Sequence, residues 1–264
     1  MLILLKTEWL KYKHYRTFWF LSLAFTGLLA LFYCAVSFGW IHISSGGMTL
    51  LDKASSFAQV WDDLCFFASY FIIILSILVI ILQTNEVQFR TNRQNIIDGW
   101  TRLQFYHLKW VVIIGISVAT TLFVLLLGLL TGLLSGLPMD LFFHNFEKVL
   151  WLFLLSVNYL GFAFILSVFL KRSGLAIGVL MFYSLMIEMI LHFIFLFKYH
   201  LPVGDLFLPL QTSDELLPSN AARLLKIGLK ANFNPPEWLY ALSTLIWIAL
   251  YYLAGRRKLI KKDW

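Results

Sequence analysis

Charged residues are scarce in this chain. Only 13% of the 264 residues are Asp, Glu, Lys or Arg, whereas 60% are hydrophobic and the mean hydropathy is +0.80. A soluble domain is about 25% charged and about 45–50% apolar. A soluble protein of this length has no interior large enough to hide so much apolar surface. The composition therefore excludes a soluble domain and predicts a polytopic membrane protein.

The chain also lacks the motifs of several kinds of site. It contains no glycine-rich phosphate loop ending in Lys-Ser or Lys-Thr, no H-E-x-x-H and no G-x-S-x-G. The two cysteines, Cys34 and Cys65, have no metal-ligand spacing and provide no disulfide framework, so we expect both to be buried apolar side chains. We therefore expect no catalytic residue, no metal site and no cofactor in this chain.

Six runs that are almost free of charge organise the sequence. They cover residues 18–41, 64–82, 111–137, 149–170, 175–197 and 238–254. A helix needs about 20 apolar residues to cross a bilayer. Barrel strands would alternate apolar and polar residues, which run 72–81 does not do. We predict an all-α polytopic membrane protein with six transmembrane helices in a single transmembrane domain, residues 1–264.

The distribution of cations predicts the orientation. If the N-terminus is cytoplasmic, the inside segments hold 15 Lys and Arg in 59 residues, and the outside segments hold 6 in 73. This bias favours both termini in the cytoplasm, with 83–110 as a cytoplasmic loop and 198–237 as an extracellular loop. Cationic loops next to anionic lipid account for the net charge of +7 without a nucleic-acid partner. The expected location is a cell membrane, the bacterial inner membrane, with the first span as an uncleaved signal-anchor.

Residues 1–17 are predicted to form an interfacial helix. An apolar stripe recurs there at helical spacing and is flanked by Lys and Arg: Leu2, Leu5, Trp9 and Tyr12. This pattern is typical of a helix that lies in the plane of the membrane interface. Two interpretations remain: a simple juxtamembrane anchor, or an interfacial helix that also touches a cytoplasmic partner.

The cytoplasmic loop 83–110 is too long for a simple connection between adjacent helices. It has apolar residues at helical spacing, with a break near Asp98 and Gly99: Ile96, Trp100, Leu103 and His107. We predict short amphipathic helices on either side of that break. Mixed apolar and basic residues suit docking into a protein groove, although such a helix can also rest on lipid headgroups.

The first 110 residues contain motifs that resemble a known family. The opening reads LLKTEWLKYKHYRTFW, and the loop before the third span contains E-x-x-F-R-T-x-R-Q-N-I-I-D-G-x-x-R. With six spans and both termini inside, the chain resembles an ATP-binding cassette (ABC) transporter permease of the type-2 exporter class. The remainder of the chain is similar by topology alone.

The resemblance implies that loop 83–110 holds a coupling helix, which docks onto a nucleotide-binding subunit. The resemblance implies that the docking residues are Glu86, Arg90, Thr91, Arg93, Asp98, Gly99 and Arg102. The amphipathic pattern adds Trp100 to this set. The implied partners are a second permease, either a copy or a relative, and cytoplasmic ABC ATPase subunits that bind ATP and Mg. The implied function is export of an amphipathic or hydrophobic substrate, without enzymatic activity in this chain.

Polar residues inside the spans are few, and each allows two interpretations. Glu188 is the only acid within a predicted span, and His192 follows one helical turn later. A protonated Glu188 bonded to His192 or to a neighbouring helix is one interpretation, and a polar lining of the substrate path is the other. Asn158 in the fourth span poses the same choice.

Two other classes of membrane protein compete with the exporter. One is a non-ABC protein, such as an ion-coupled carrier, a sensor or a scaffold. The other is an intramembrane hydrolase, which needs several convergent polar groups. Glu188 and His192 supply two, and the sequence indicates no third or fourth.

Small residues at four-residue spacing predict close helix packing. They form two groups: Gly128, Gly132 and Gly136 in the third span, and Gly174 and Gly178 in the fifth. Contacts within one chain and contacts between two chains explain this spacing equally well.

Overall fold

A computed structural model describes residues 2–41, 43–45, 48–51, 54–89, 91, 99–139, 142–218 and 235–261. The long helices are α1 (Leu2–Lys13), α2 (Arg16–Ser37), α3 (Phe57–Gln88), α4 (Arg102–Leu134), α5 (Glu147–Leu170), α6 (Ser173–Lys198) and α8 (Glu237–Lys261). Between α6 and α8 lies α7 (Gln211–Asp214), a single short helical turn. Among the described residues, six helices, α2 to α6 and α8, are long and apolar enough to cross a membrane. The predicted all-α polytopic fold is confirmed.

A small hairpin is the exception to the helical architecture of the described residues. Strands β1 (Ile43–Ser45) and β2 (Met48–Leu51) pair antiparallel between α2 and α3. The hairpin follows a turn in which Gly39 has φ +74°, so α2 ends at Ser37 rather than at the predicted residue 41. A two-stranded hairpin of this length leaves the fold class unchanged.

Helices α3 and α4 extend well into the loop predicted at 83–110. Helix α3 continues to Gln88, and α4 begins at Arg102, where Thr101 and Gln104 form a reciprocal capping box. Leu103 and His107 therefore belong to the third spanning helix rather than to a separate loop helix. The capping box decides this, because it satisfies the first free N–H groups of α4.

Helix α5 lies at the centre of the bundle. It packs against α3, α4 and α8, and it is the most buried of the six spans. Helices α2 and α6 lie at the periphery, with many apolar side chains exposed toward the expected lipid. Cys65 is buried, as predicted for an apolar side chain, and Cys34 is half-buried.

The glycines of α4 allow α3 to approach closely. A Cβ atom on Gly128 would lie 2.5 Å from the indole ring of Trp61, and one on Gly132 would overlap the ring of Phe57. Contacts within one chain thus explain this pair. Gly136 lies beyond the helix in a turn with φ +69°. Gly174 and Gly178 have no neighbouring atom within 4 Å of such a Cβ, so intrachain contacts among the described residues do not explain them.

The described part of the predicted extracellular loop folds back against the bundle. A 3₁₀ helix (Pro202–Phe207) and α7 lie within residues 202–217, which we call the insert. Many of its side chains are fully or almost fully buried: Asp205, Leu208, Leu210, Thr212, Ser213, Leu216 and Leu217. The insert packs against α5, α6 and α8, and α6 contains two π-helical stretches, Tyr183–Ile187 and Ile194–Lys198.

Candidate functional site

Two buried polar clusters lie at opposite ends of the bundle, because successive spans alternate in direction. The first, the loop-end cluster, joins α1 to the ends of α3 and α4 that flank the predicted coupling loop: Glu8, Lys11, Tyr12, Glu86 and Lys109. The second, the insert cluster, joins α6 to the insert: Glu188, His192, Asp205, Gln211 and Glu215.

Lys109 is the centre of the loop-end cluster. Its Nζ donates to Glu86 Oε1, to Glu8 Oε2 at 3.0 Å and to the Tyr12 hydroxyl at 3.4 Å. The side chains of Lys109, Glu86 and Glu8 are only 6%, 8% and 1% exposed. Lys11 adds a second ammonium 2.9 Å from Glu8 Oε1, so two cations face two carboxylates. A buried charge requires this kind of compensation.

The electrostatics of Glu8 follow from these contacts. Burial raises its pKa, but the charges of Lys109 and Lys11 and hydrogen bonds with Lys11 and Tyr12 lower it by a larger amount. The net pKa falls from the ordinary value of 4.5 to about 2. Glu8 is therefore ionised at neutral pH, and its charge fixes α1 to α4.

The apolar stripe predicted for α1 is only partly buried. Tyr12 is buried, but Trp9 is 50% exposed, and Glu8 lies against the bundle instead. The ion pair with Lys109, which is 101 residues away, accounts for the inward position of an acid. The side chains of Leu2 and Leu5 lie outside the described residues.

The predicted docking residues have different environments. Glu86 is buried in the loop-end cluster, and Thr91 Oγ1 donates to its backbone oxygen at 3.4 Å. Trp100 is half-buried, with Lys11 Nζ 5.7 Å from its ring centroid. Gly99 has φ +91°, which produces the predicted break, and Arg102 opens α4. Arg90, Arg93, Ile96 and Asp98 lie outside the described residues.

All three candidate residues for a substrate path contact or approach the insert. Glu188 accepts the backbone N–H groups of Leu210 and Gln211, at 2.9 and 3.0 Å, through its two oxygens. Asn158 donates to Pro209 O at 2.8 Å and to Ser213 Oγ at 3.0 Å. Buried backbone polar groups need hydrogen-bond partners, and these side chains supply several of them for the insert.

His192 bonds to the insert rather than to Glu188. Its Nδ1 lies 3.0 Å from Asp205 Oδ1 and 3.7 Å from Glu215 Oε1. The Gln211 amide nitrogen lies 3.3 Å from both His192 Nδ1 and Glu215 Oε1. The expectation that Glu188 and His192 have no third or fourth polar neighbour is therefore wrong.

Sequence reasoning missed Asp205, Gln211 and Glu215 because it treated residues 198–237 as a loop. One signal was available: residues 201–217 contain six Leu in 17 positions, a composition unusual for a solvated loop. The separations of 13 and 10 residues between His192, Asp205 and Glu215 match no local ligand motif, so only the folded chain assembles them.

A further acid of the insert, Asp214, contacts α5. The Tyr159 hydroxyl lies 2.8 and 3.0 Å from its two carboxylate oxygens. Burial raises the pKa of Asp214 to about 8, with the negative charges of Glu188 and Glu215 acting in the same direction and the Tyr159 hydrogen bond opposing them. The insert is thus fixed to α5 by polar contacts within α7 and just before it.

Comparisons with known proteins give no assignment: no family model matches the chain, and no curated protein is significantly similar to it.

Proposed function

We propose that this chain is the membrane-spanning permease subunit of an ATP-driven exporter. It pairs with a second permease, a copy or a relative, and with separate cytoplasmic ABC ATPase subunits that hold ATP and Mg. The exported substrate is amphipathic or hydrophobic, and both termini of the chain lie in the cytoplasm of a bacterial cell. The resemblance of residues 1–110 to type-2 ABC permeases motivates the proposal.

The loop-end cluster is the observation that supports it most. A loop that transmits the movement of an ATPase must be attached firmly to the spans. Lys109 on α4 is bonded to Glu86 on α3 and to Glu8 on α1. The ends of α3 and α4 that extend into loop 83–110, together with the N-terminal helix, therefore form one buried, charge-compensated unit. A displacement of the loop then moves α1, α3 and α4 together.

This geometry refines the roles of the docking residues. The side chain of Glu86 is only 8% exposed, so it supports the loop from within the bundle rather than contacting another subunit. Trp100 and Arg102 are only half-buried, and they lie next to the break at Gly99. We assign contact with the ATPase to these two side chains and to the Arg93 position predicted from the loop motif.

Co-purification with an ATPase tests the proposal. The full chain is co-expressed with a candidate ABC ATPase, and the complex is isolated in detergent and assayed for Mg-ATP hydrolysis. We expect Arg93→Ala with Trp100→Ala to release the ATPase while the permease stays in the membrane. Trp238→Ala removes an indole that is 61% exposed at the opposite end of the bundle, and it should retain the ATPase.

Two outcomes would contradict the proposal. If the double variant retains the ATPase as well as Trp238→Ala does, the docking assignment is wrong. If the unmodified chain binds no ATPase, a carrier, sensor or scaffold is favoured over an ABC permease.

A further inference from the structure

Three potential metal ligands meet where the insert contacts α6. They come from three separate places in the chain: His192 from α6, Asp205 from the 3₁₀ helix and Glu215 from the end of α7. One ligand atom from each residue lies within 4.8 Å of the other two. Imidazole nitrogen and carboxylate oxygen are ordinary ligands of zinc and related divalent ions.

The separations between these atoms suit a tetrahedral ion. Ligand atoms about 2.1 Å from a tetrahedral zinc ion lie about 3.4 Å from one another. His192 Nδ1 is 3.0 Å from the Asp205 oxygen and 3.7 Å from the Glu215 oxygen. These two distances bracket the ideal separation, and the two carboxylate oxygens lie within 4.8 Å of each other, so small side-chain adjustments place all three ligands around one ion.

A fourth ligand position is also available. The side-chain amide of Gln211 lies 3.3 Å from both His192 Nδ1 and Glu215 Oε1. Rotation of that amide by half a turn directs its oxygen toward the other ligands. Alternatively, a water molecule would serve as the fourth ligand. The side chain of His192 is 15% exposed, so water and the ion can reach the site.

The surroundings hold the ligand-bearing segments in place. Glu188 binds the backbone N–H groups of Leu210 and Gln211, and Asn158 binds Pro209 O and Ser213 Oγ. Fixed outer contacts of this kind orient the ligands of a metal site and are needed for its affinity. The insert therefore presents Asp205 and Glu215 to His192 from a supported backbone.

Two carboxylates lie close to the same imidazole nitrogen. Nδ1 of an imidazole carries at most one hydrogen, yet two carboxylates approach that nitrogen. One of them can accept the hydrogen, whereas a divalent cation would bind the nitrogen and both carboxylates together. We propose that His192, Asp205 and Glu215 bind a divalent metal ion of the zinc type, which clamps the insert to α6.

The proposal is independent of the export function, so the chain is tested alone. It is purified in detergent through a tag without histidines, stripped with a chelator and titrated with Zn²⁺, and bound zinc is measured by mass spectrometry and by chelator competition. We expect about one zinc ion per chain. His192→Gln, Asp205→Asn and Glu215→Gln should each weaken binding by about tenfold or more. His144→Gln, an exposed histidine outside the cluster, should not.

Amide hydrogen exchange provides a readout of the clamp itself. Removal of zinc should accelerate exchange in residues 203–217 of the unmodified chain and have no effect there in His192→Gln. A second measurement does not depend on the variants folding. The unmodified chain is loaded with Co²⁺, and we expect the intense visible absorption that is typical of tetrahedral coordination. Zinc binding that is equal in His192→Gln and His144→Gln would overturn the proposal. Featureless Co²⁺ spectra or unchanged exchange on metal removal would do so as well.

Discussion

Replacing Lys109 with methionine tests whether the loop-end cluster holds α1, α3 and α4 together. Methionine has a similar length and volume but no charge, so the change removes the ammonium and leaves Glu8 and Glu86 buried. Removal of one partner from a buried ion pair costs about 3–5 kcal/mol, because the remaining charge is uncompensated. The Glu8 pKa is lowered to about 2 although burial raises it, and the charge of Lys109 is the largest of the contributions that lower it.

The pH dependence of this loss has a definite sign. A lowered pKa in the folded state stabilises the protein above the ordinary pKa, and that contribution is lost as the pH falls through the folded-state value. For Glu8 this window extends from about pH 4.5 down to about pH 2. Without Lys109, burial favours protonation of Glu8, and Lys11 and Tyr12 oppose it. The difference between the two proteins should therefore be largest at neutral pH and shrink below pH 4.5.

The effect is measured by thermal unfolding in detergent at pH 7 and pH 4, with intrinsic fluorescence as the signal. We expect Lys109→Met to lower the melting temperature by roughly 10 °C at pH 7. Lys11→Met is the matched control: this ammonium also contacts Glu8, but its side chain is 34% exposed, so the loss should be below about 1 kcal/mol.

A triple variant completes the test. Combining Lys109→Met with Glu8→Gln and Glu86→Gln removes the uncompensated charges, and most of the lost stability should return. A melting temperature of Lys109→Met no lower than that of Lys11→Met would refute the reasoning. Failure of the triple variant to recover stability would also refute it.

Three further predictions concern packing, the insert and topology. Gly128→Ala forces an aromatic ring of α3 to move and should cost about 1–3 kcal/mol in unfolding experiments, whereas Gly178→Ala, which faces open space, should cost nothing measurable. Glu188→Gln should destabilise the chain, because both carboxylate oxygens accept backbone N–H groups and an amide can accept only one; an unchanged melting temperature would contradict this. Cysteines at Phe207 and Arg257, both exposed, should react with impermeant reagents from opposite sides of the membrane, and same-side labelling would contradict the six-span topology.

The structure changes how the insert should be probed. Thr212 is in the middle of the predicted extracellular loop, and the sequence makes it a natural site for labelling. It is fully buried, and its hydroxyl lies 3.4 Å from Tyr240 O. Phe207 is 74% exposed and is the better position. Lys262, at the predicted cytoplasmic end, lies outside the described residues, and Arg257 replaces it.

The six spans could be predicted from the sequence, because hydropathy is a local property. A bilayer of fixed thickness requires about 20 apolar residues per helix, and that requirement is visible without tertiary contacts. The break at Gly99 was predictable for the same reason, since an Asp-Gly pair favours a turn. The close approach of α3 to α4 was predictable in part. The spacing of Gly128 and Gly132 indicated a closely packed face, but it did not indicate that Trp61 and Phe57 pack there.

The partners of the buried polar groups were decided only by the tertiary structure. Lys109 is 101 residues from Glu8 and 23 from Glu86, and no periodicity connects them. The sequence offered Glu188, one turn away, as one candidate partner of His192, yet His192 contacts Asp205 on the insert. A buried charge or hydrogen-bonding group takes the compensating group that packing brings to it, and that packing is fixed by long-range contacts. Hydropathy therefore determined which segments enter the membrane, whereas the folded chain determined what each polar side chain meets there.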